Sequence, residues 1–283
     1  MREGLGACLG GGLRTAYGPG LGVVVLLVAL AACAPKRIEV QTGAGTPVKD
    51  WSAQAFERAT ARCRDVRTLR GEIRVSGRAG RQRLRGTLVF GLEQPDGIRV
   101  EGIAPFGAPM FILAGRGMSA TLLLPRDNRV LTGVAASDVL DALAGIRLDP
   151  ASLGAVLSGC LVVDARPSDP RAYAGGWTSV TVAPDATAWL RTQGGEARLA
   201  AGSLRDLVVA YADFDAGLPR TVRLQSPAGT ANGVNLTLAL ARISTNVSIN
   251  PAAWTVVVPH DAVPLTLDEL RQSGPLGVKG GDR

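Results

Sequence analysis

From Gln82 to Phe90 the chain sets Leu84, Leu88 and Phe90 on one side and Arg83 and Arg85 on the other. Successive side chains of a strand point to opposite faces, so this run fixes both the conformation and the face that is buried. The same pattern precedes it at Glu72–Ser76, where Ile73 and Val75 oppose Arg74. It follows again after the turn Gln94-Pro95-Asp96-Gly97, where Ile98 and Val100 oppose Arg99 and Glu101. Amphipathic runs in sequence, joined by short turns, make an antiparallel meander with one apolar and one charged face.

The alternation continues in shorter pieces. Met110–Ala114 and Ser119–Leu124 are apolar runs, the second ending at Pro125-Arg126-Asp127-Asn128. Beyond Val163, strands are expected at 177–182, 186–192, 196–200, 204–211, 219–225, 233–243 and 254–258, with turns at Gly194-Gly195, Gly217, Ala228-Gly229 and Asn232-Gly233. Helical spacing occurs in three places. Trp51–Val66 carries Phe56, Thr60 and Cys63 on one face; Ser137 is placed to cap a helix with Val139, Leu140 and Leu143; Pro150 suits the first turn of a helix that carries Leu153, Val156 and Leu157 and stops at Gly159. A single sheet of about a dozen strands must curl, and helices between its halves are the natural cover for the apolar side. The expected fold is mainly β with a few helices (α+β): a curled antiparallel sheet forming an incomplete β-barrel closed by short helices. It is expected as one domain over residues 51–273, followed by a loose tail, 274–283.

The N-terminal segment is of another kind. Leu21–Ala32, LGVVVLLVALAA, is free of charge, has the length of an export-signal core, and is too short to remain as a membrane span. It ends Leu30-Ala31-Ala32-Cys33, which resembles the lipobox of bacterial lipoproteins. That resemblance implies a signal peptide over residues 1–32, lipid on Cys33, and a lipidated tether over 33–50. The alternative is an ordinary signal peptide beside an incidental Cys33. Ala34 stands where an enteric-type inner-membrane retention signal has Asp, so the implied location is the outer membrane, facing the periplasm.

Export decides how charge and cysteine are read. The formal net charge is +7, almost all of it from arginine, since lysine occurs only at 36, 49 and 279. A basic chain points to nucleic acid or to an anionic membrane surface; export removes nucleic acid as a partner and leaves the membrane. Cys8 leaves with the signal and Cys33 takes the lipid, so Cys63 and Cys160 remain and read as a disulfide outside the cytosol. Two separately buried thiols are the alternative. With His260 as the one histidine and no close spacing, no metal site or other cofactor is expected.

Three stretches carry a wider resemblance. They are TLRGEIRVSG…QRLRGTLVFGLEQPDGIRVEGIAPFGAPMFILA from Thr68, the helix pair SDVLDALAGIRLDPASLGAVLSG, and DFDAGLPRTVRLQS with its Gly-Leu-Pro lead. Together they resemble the LolA/LolB superfamily of periplasmic lipoprotein carriers and outer-membrane lipoprotein receptors. The likeness lies in order and hydrophobicity, and it departs at the Cys63/Cys160 pair and at the long Ala- and Thr-rich part from Asn232. It implies binding of the acyl chains of lipids or lipoproteins without chemistry, with lipoproteins received or inserted at the outer membrane and a periplasmic carrier protein as partner.

Ile73, Val75, Leu84, Leu88, Phe90, Ile98 and Val100 would line the acyl-binding cavity. The competing expectation is that they simply fill a core, in a scaffolding or sensor lipoprotein that holds a protein partner. Pro105 and Gly107 frame Phe106 in the charge-free IAPFGAPMFIL, where the family presents an apolar loop residue to lipid; Phe106 either does so or folds back to cap the core.

Enzyme chemistry has little support. His260 lies between Pro259 and Asp261 as in a surface turn, and no G-x-S-x-G stretch supplies a nucleophile. Asp213 and Asp215 form a close carboxylate pair, but Asp213-Phe214-Asp215-Ala216-Gly217 is also ordinary hairpin sequence. No catalytic residue is assigned. The run of arginines at 58, 62, 64, 67, 70, 74, 78, 81, 83 and 85, opposed by Asp65 and Glu72, is either a surface for anionic headgroups or cell-wall polymer, or a solvated outer face.

Overall fold

The structure, a computed structural model, describes residues 38, 40, 41, 43–104, 106, 107, 109–227, 230 and 233–273. Cys33 and the segment before it, Pro105, and residues 274–283 lie outside the described residues. Two antiparallel meanders make up the sheet. The first comprises β2 (Thr68–Ala79), β3 (Gln82–Glu93), β4 (Gly97–Ile103), β5 (Phe111–Arg116), β6 (Ser119–Leu124) and β7 (Arg129–Val134). The second comprises β8 (Ser168–Tyr173), β9 (Trp177–Ala183), β10 (Ala186–Gln193), β11 (Glu196–Leu204), β12 (Leu207–Asp215), β13 (Leu218–Gln225) and β14 (Val234–Thr245). They join through β14 and β2, where Leu238 stands opposite Val75 and Leu240 opposite Ile73. Two-residue strands, β1 (Thr46–Pro47) and β15 (Val263–Pro264), form the outer edges beside β8 and β7, so the described sheet curls without closing.

Alternation sets the two faces. In β2 and β3, Leu69, Ile73, Val75, Leu84, Phe90 and Leu92 are buried on the concave side, while Arg70, Arg74, Arg78, Arg83 and Arg85 are exposed on the convex side. Burial of each such Leu, Ile or Phe contributes about 1.5–3 kcal/mol, so the concave face must be covered. Three helices cover it: α1 (Gln54–Arg64), α2 (Ala136–Ala144) and α3 (Pro150–Ser158), through Phe56, Val139, Leu143, Val156 and Leu157. As expected, α1 buries Phe56, Thr60 and Cys63. The α3 signals also hold: Asp149 Oδ1 accepts from the Ser152 amide at 2.8 Å, Pro150 begins the helix, and Gly159 ends it in the left-handed region. Ser137 does not cap α2; Ala135 occupies that position without a side-chain bond. Beyond α3, Leu161 packs so closely on β11 that a Cβ at Gly202 would stand 2.3 Å from it.

The strand expectations are corrected in four places. Arg129–Val134 and Ser168–Tyr173 are strands that the alternation does not mark. The span 204–211 crosses a hairpin: Leu204 pairs with Leu207, and the Arg205 amide donates to Asp185 O at 2.9 Å. Residues 254–258 are not a strand. After β14 the chain turns through Pro251–Trp254 and straps the convex side of β4 and β5, with Trp254 buried and Val257 exposed. Gly97 admits the indole, since a Cβ there would meet Trp254 Cζ2 at 3.2 Å, and Arg116 stacks 5.2 Å from its ring. The strap ends in α4 (Leu267–Ser273), which packs on α2 and places Leu265 and Leu270 in the core.

Candidate functional site

Between the concave face and its cover lies a partly open cavity of about 90 Å³. Its floor contains Ile73, Val75, Leu84, Leu88, Phe90 and Val100, six of the seven residues the sequence singled out. Ile98 is fully buried in the same core but does not reach the cavity. The remainder of the wall was not assigned from sequence: Phe111 from β5, Leu224 from β13, Leu236 and Leu238 from β14, and a roof of Leu140, Leu143, Ala144, Ile146, Leu153 and Leu157. Every lining residue is aliphatic or phenylalanine. A cavity of that kind stays dry and offers nothing to a polar ligand.

The roof is an α-hairpin, and its two ends are held differently. At the base, the Cys63–Cys160 disulfide ties the chain just beyond the Gly159 cap of α3 to the last turn of α1, with both cysteines buried and Cα atoms 5.5 Å apart. The 145–149 loop is the opposite end, beside the β2–β3, β11–β12 and β13–β14 turns. There, Gly145 approaches Val234, and Arg205 Nη1 donates to Arg147 O at 3.5 Å. Arg147 also pairs with Asp138 at 3.1 Å and Asp141 at 3.4 Å, both on α2. These are exposed, weak contacts. The covalent tie holds the base; the loop is held without one, by the burial of Ile146 and Leu148 in the core and by these exposed polar contacts.

Helix α4 secures the roof from outside. Thr266 and Glu269 bond reciprocally: the Glu269 amide donates to Thr266 Oγ1 at 3.2 Å, and Thr266 N–H donates to Glu269 Oε2 at 2.8 Å. Arg129 Nη2 bridges Glu269 Oε1 at 2.8 Å and Pro264 O at 3.0 Å, and Arg271 reaches Asp141 of α2 at 3.6 Å. The Arg129 bond, then those from Thr266, hold the Glu269 carboxyl down at about 2. A carboxyl depressed on folding stabilises above its ordinary pKa, and that contribution is lost as pH falls toward the depressed value. Hydrogen exchange of the 267–273 amides, corrected for intrinsic rate, should therefore be constant above about pH 5 and accelerate between about pH 4 and 2. Glu269→Gln should exchange faster at neutral pH and lose the pH step. A step that survives in Glu269→Gln assigns the effect to another group.

At the same end of the sheet, between β4 and β5, Phe106 is 89% exposed and Gly107 has φ +77°. Phe106 does not cap the core. Arg126 Nη2 donates to Phe106 O at 2.9 Å and ties this loop to the β6–β7 turn. The residues weighed for catalysis lie elsewhere and apart. His260 is exposed on the strap. Asp213 accepts from Thr221 Oγ1 at 2.6 Å and Asp215 from Arg220 Nε at 3.1 Å, both across the β12–β13 hairpin. Tyr211 is buried against the Leu161 backbone, and burial pushes its hydroxyl well above the usual phenol range.

No family model and no curated protein matches this chain. Solved structures do. A LolA superfamily protein of Nitrosomonas europaea is 9% identical over 72% of this chain and 96% of its own, with a TM-score of 0.46. A DUF1329 family protein of Desulfovibrio piger is 10% identical over 71% and 96%, with a TM-score of 0.43. The lipoprotein LppX of Mycobacterium tuberculosis is 11% identical over 70% and 97%, with a TM-score of 0.29. At such scores these likenesses carry no functional conclusion.

Proposed function

We propose that this chain is an envelope lipoprotein, anchored through lipid on Cys33, that shelters acyl chains of lipids or lipoproteins beneath the α2–α3 hairpin and passes them to a membrane. The observation that carries this reading is a pocket with no polar side chain in its wall, roofed by helices fixed covalently at one end. Acyl chains are recognised by concave apolar surface alone. The pocket with the hairpin down, about 90 Å³, is well below the roughly 300–1,000 Å³ of ligand sites. Capture therefore requires the hairpin to lift at its 145–149 end, which carries no covalent tie, drawing Ile146 and Leu148 out of the core. Each buried methylene returns about 0.8 kcal/mol, so a long chain offsets the exposure of the roof and a short one does not. The exposed Phe106 is the contact with the receiving bilayer.

The test is a series of saturated acyl probes from eight to eighteen carbons. Affinity should rise steeply with length and then level off, and Phe106→Glu should keep both that affinity and the melting temperature while slowing delivery to liposomes. The small closed volume favours a second reading, a filled barrel that serves as a scaffold or sensor for a protein partner. Absence of binding at every chain length would establish that reading instead.

A further inference from the structure

The convex face of β2, β3 and β13 carries a cluster of charge that the pocket does not use. Arg74, Arg78, Arg81, Arg83, Arg85 and Arg223 are all exposed, and none forms an ion pair among the described residues. Glu72, the acid on this face of β2, is taken by Arg242 at 2.6 Å. Arg78 and Arg83 stand directly opposite each other in the β2–β3 ladder, and Arg85 faces Ser76. Like charges in register destabilise a strand pair, so folding gains nothing from this arrangement.

The position of Ile38, the first described residue, bears on what the cluster faces. The Ile38 amide donates to Gln225 Oε1 at 3.0 Å. Gln225 shares the outward parity of Arg223 in β13, and its register partner Asn235 lies opposite Arg78. At about 4.8 Å per strand, Ile38 is bound roughly 10 Å from Arg78 on β2 and roughly 15 Å from Arg83 on β3. Cys33 is five residues earlier, and an extended chain covers at most about 3.6 Å per residue. Lipid on Cys33 thus brings the bilayer within about 18 Å of Ile38, at the end of the sheet that also carries Phe106.

We propose that this arginine face is an electrostatic seat for the anionic surface of the bilayer that holds the protein's own lipid, turning the Phe106 end toward that bilayer. The inference rests on the reading of Cys33 as the anchor, but the seat itself acts without the lipid. The experiment therefore uses the processed chain, residues 33–283 with Cys33→Ala, free of the apolar segment 21–32, co-sedimented with vesicles of neutral lipid alone or of neutral lipid with 30% anionic lipid. Binding is expected only to the anionic vesicles and should fall steeply with salt. Arg83→Glu should weaken it about 25-fold, at about fivefold per unit charge. The same substitution pairs Glu with Arg78, so the melting temperature should hold or rise. Arg83→Lys should keep binding, because headgroups read charge and not guanidinium geometry. Equal binding to both vesicle types, or loss in Arg83→Lys, overturns the seat. A requirement for bidentate arginine would instead point to a cell-wall polymer. Failure of the anchor is read separately, from the mass of Cys33 in the native protein.

Discussion

Replacing Cys63 and Cys160 together with alanine should lower stability by about 2–5 kcal/mol, a drop in melting temperature of roughly 5–15 °C. The bridge closes a loop of 97 residues, long enough that chain entropy alone sets a ceiling near 4.7 kcal/mol. Both sulfurs are buried between α1 and the end of α3 beside Ala155, so alanine also removes packed volume. The consequence goes beyond stability. Cys160 fixes the base of the roof, and without it the hairpin can leave from either end, so acyl probes should exchange faster as well. Equilibrium unfolding of the oxidised wild type and the double variant measures the first effect. A difference below about 0.5 kcal/mol, the range of inert surface changes, would mean that the bridge constrains neither state.

A substitution in the roof should drive stability and binding in opposite directions. Ala144 lies on α2 and lines the cavity; Ala144→Leu places three more carbons in a void of about 90 Å³. Filling such a void gains about 0.5–2 kcal/mol, and all of it accrues to the closed state. A ligand that binds only the open state then loses affinity by the same factor. It also loses the space of about three methylenes at about 0.8 kcal/mol each, so acyl probes should bind roughly fiftyfold more weakly or worse. A filled-core scaffold would gain the stability and have no binding to lose. Retained acyl affinity in Ala144→Leu would place the ligand outside this pocket.

The strands legible in sequence were those with one wet face. Arg83 and Arg85 beside Leu84 and Phe90 announce both conformation and orientation, and six of the seven residues expected at the cavity are there. Ile98 is not, because register places it opposite Leu92 and Gly115, deeper in the core. The far wall was invisible for a related reason. Leu224, Leu236 and Leu238 alternate as clearly as Ile73 does, but nothing local indicates that the last long strand returns to pair with the first. Periodicity reports a face and not a partner. Arg129–Val134 was missed because Thr132 and Gly133 break its alternation, and Val256–Val258 looked like a strand because an apolar run does not record whether it is buried. For Phe106 the flanking Pro and Gly indicated a turn and left its direction open; the side chain is exposed to solvent. The Glu269–Arg129 clamp joins positions 140 residues apart and had no sequence signature.

A pocket beneath α2 and α3 that opens to hold acyl chains leaves the chain carrying cargo. Native mass spectrometry of the full, unsubstituted protein released gently from its own envelope tests this most directly. A population heavier than the processed, lipidated chain by the mass of a phospholipid or an acylated protein is expected, and it should be lost in Ala144→Leu. A single species at the mass of the chain and its covalent lipid, identical in wild type and variant, would contradict it.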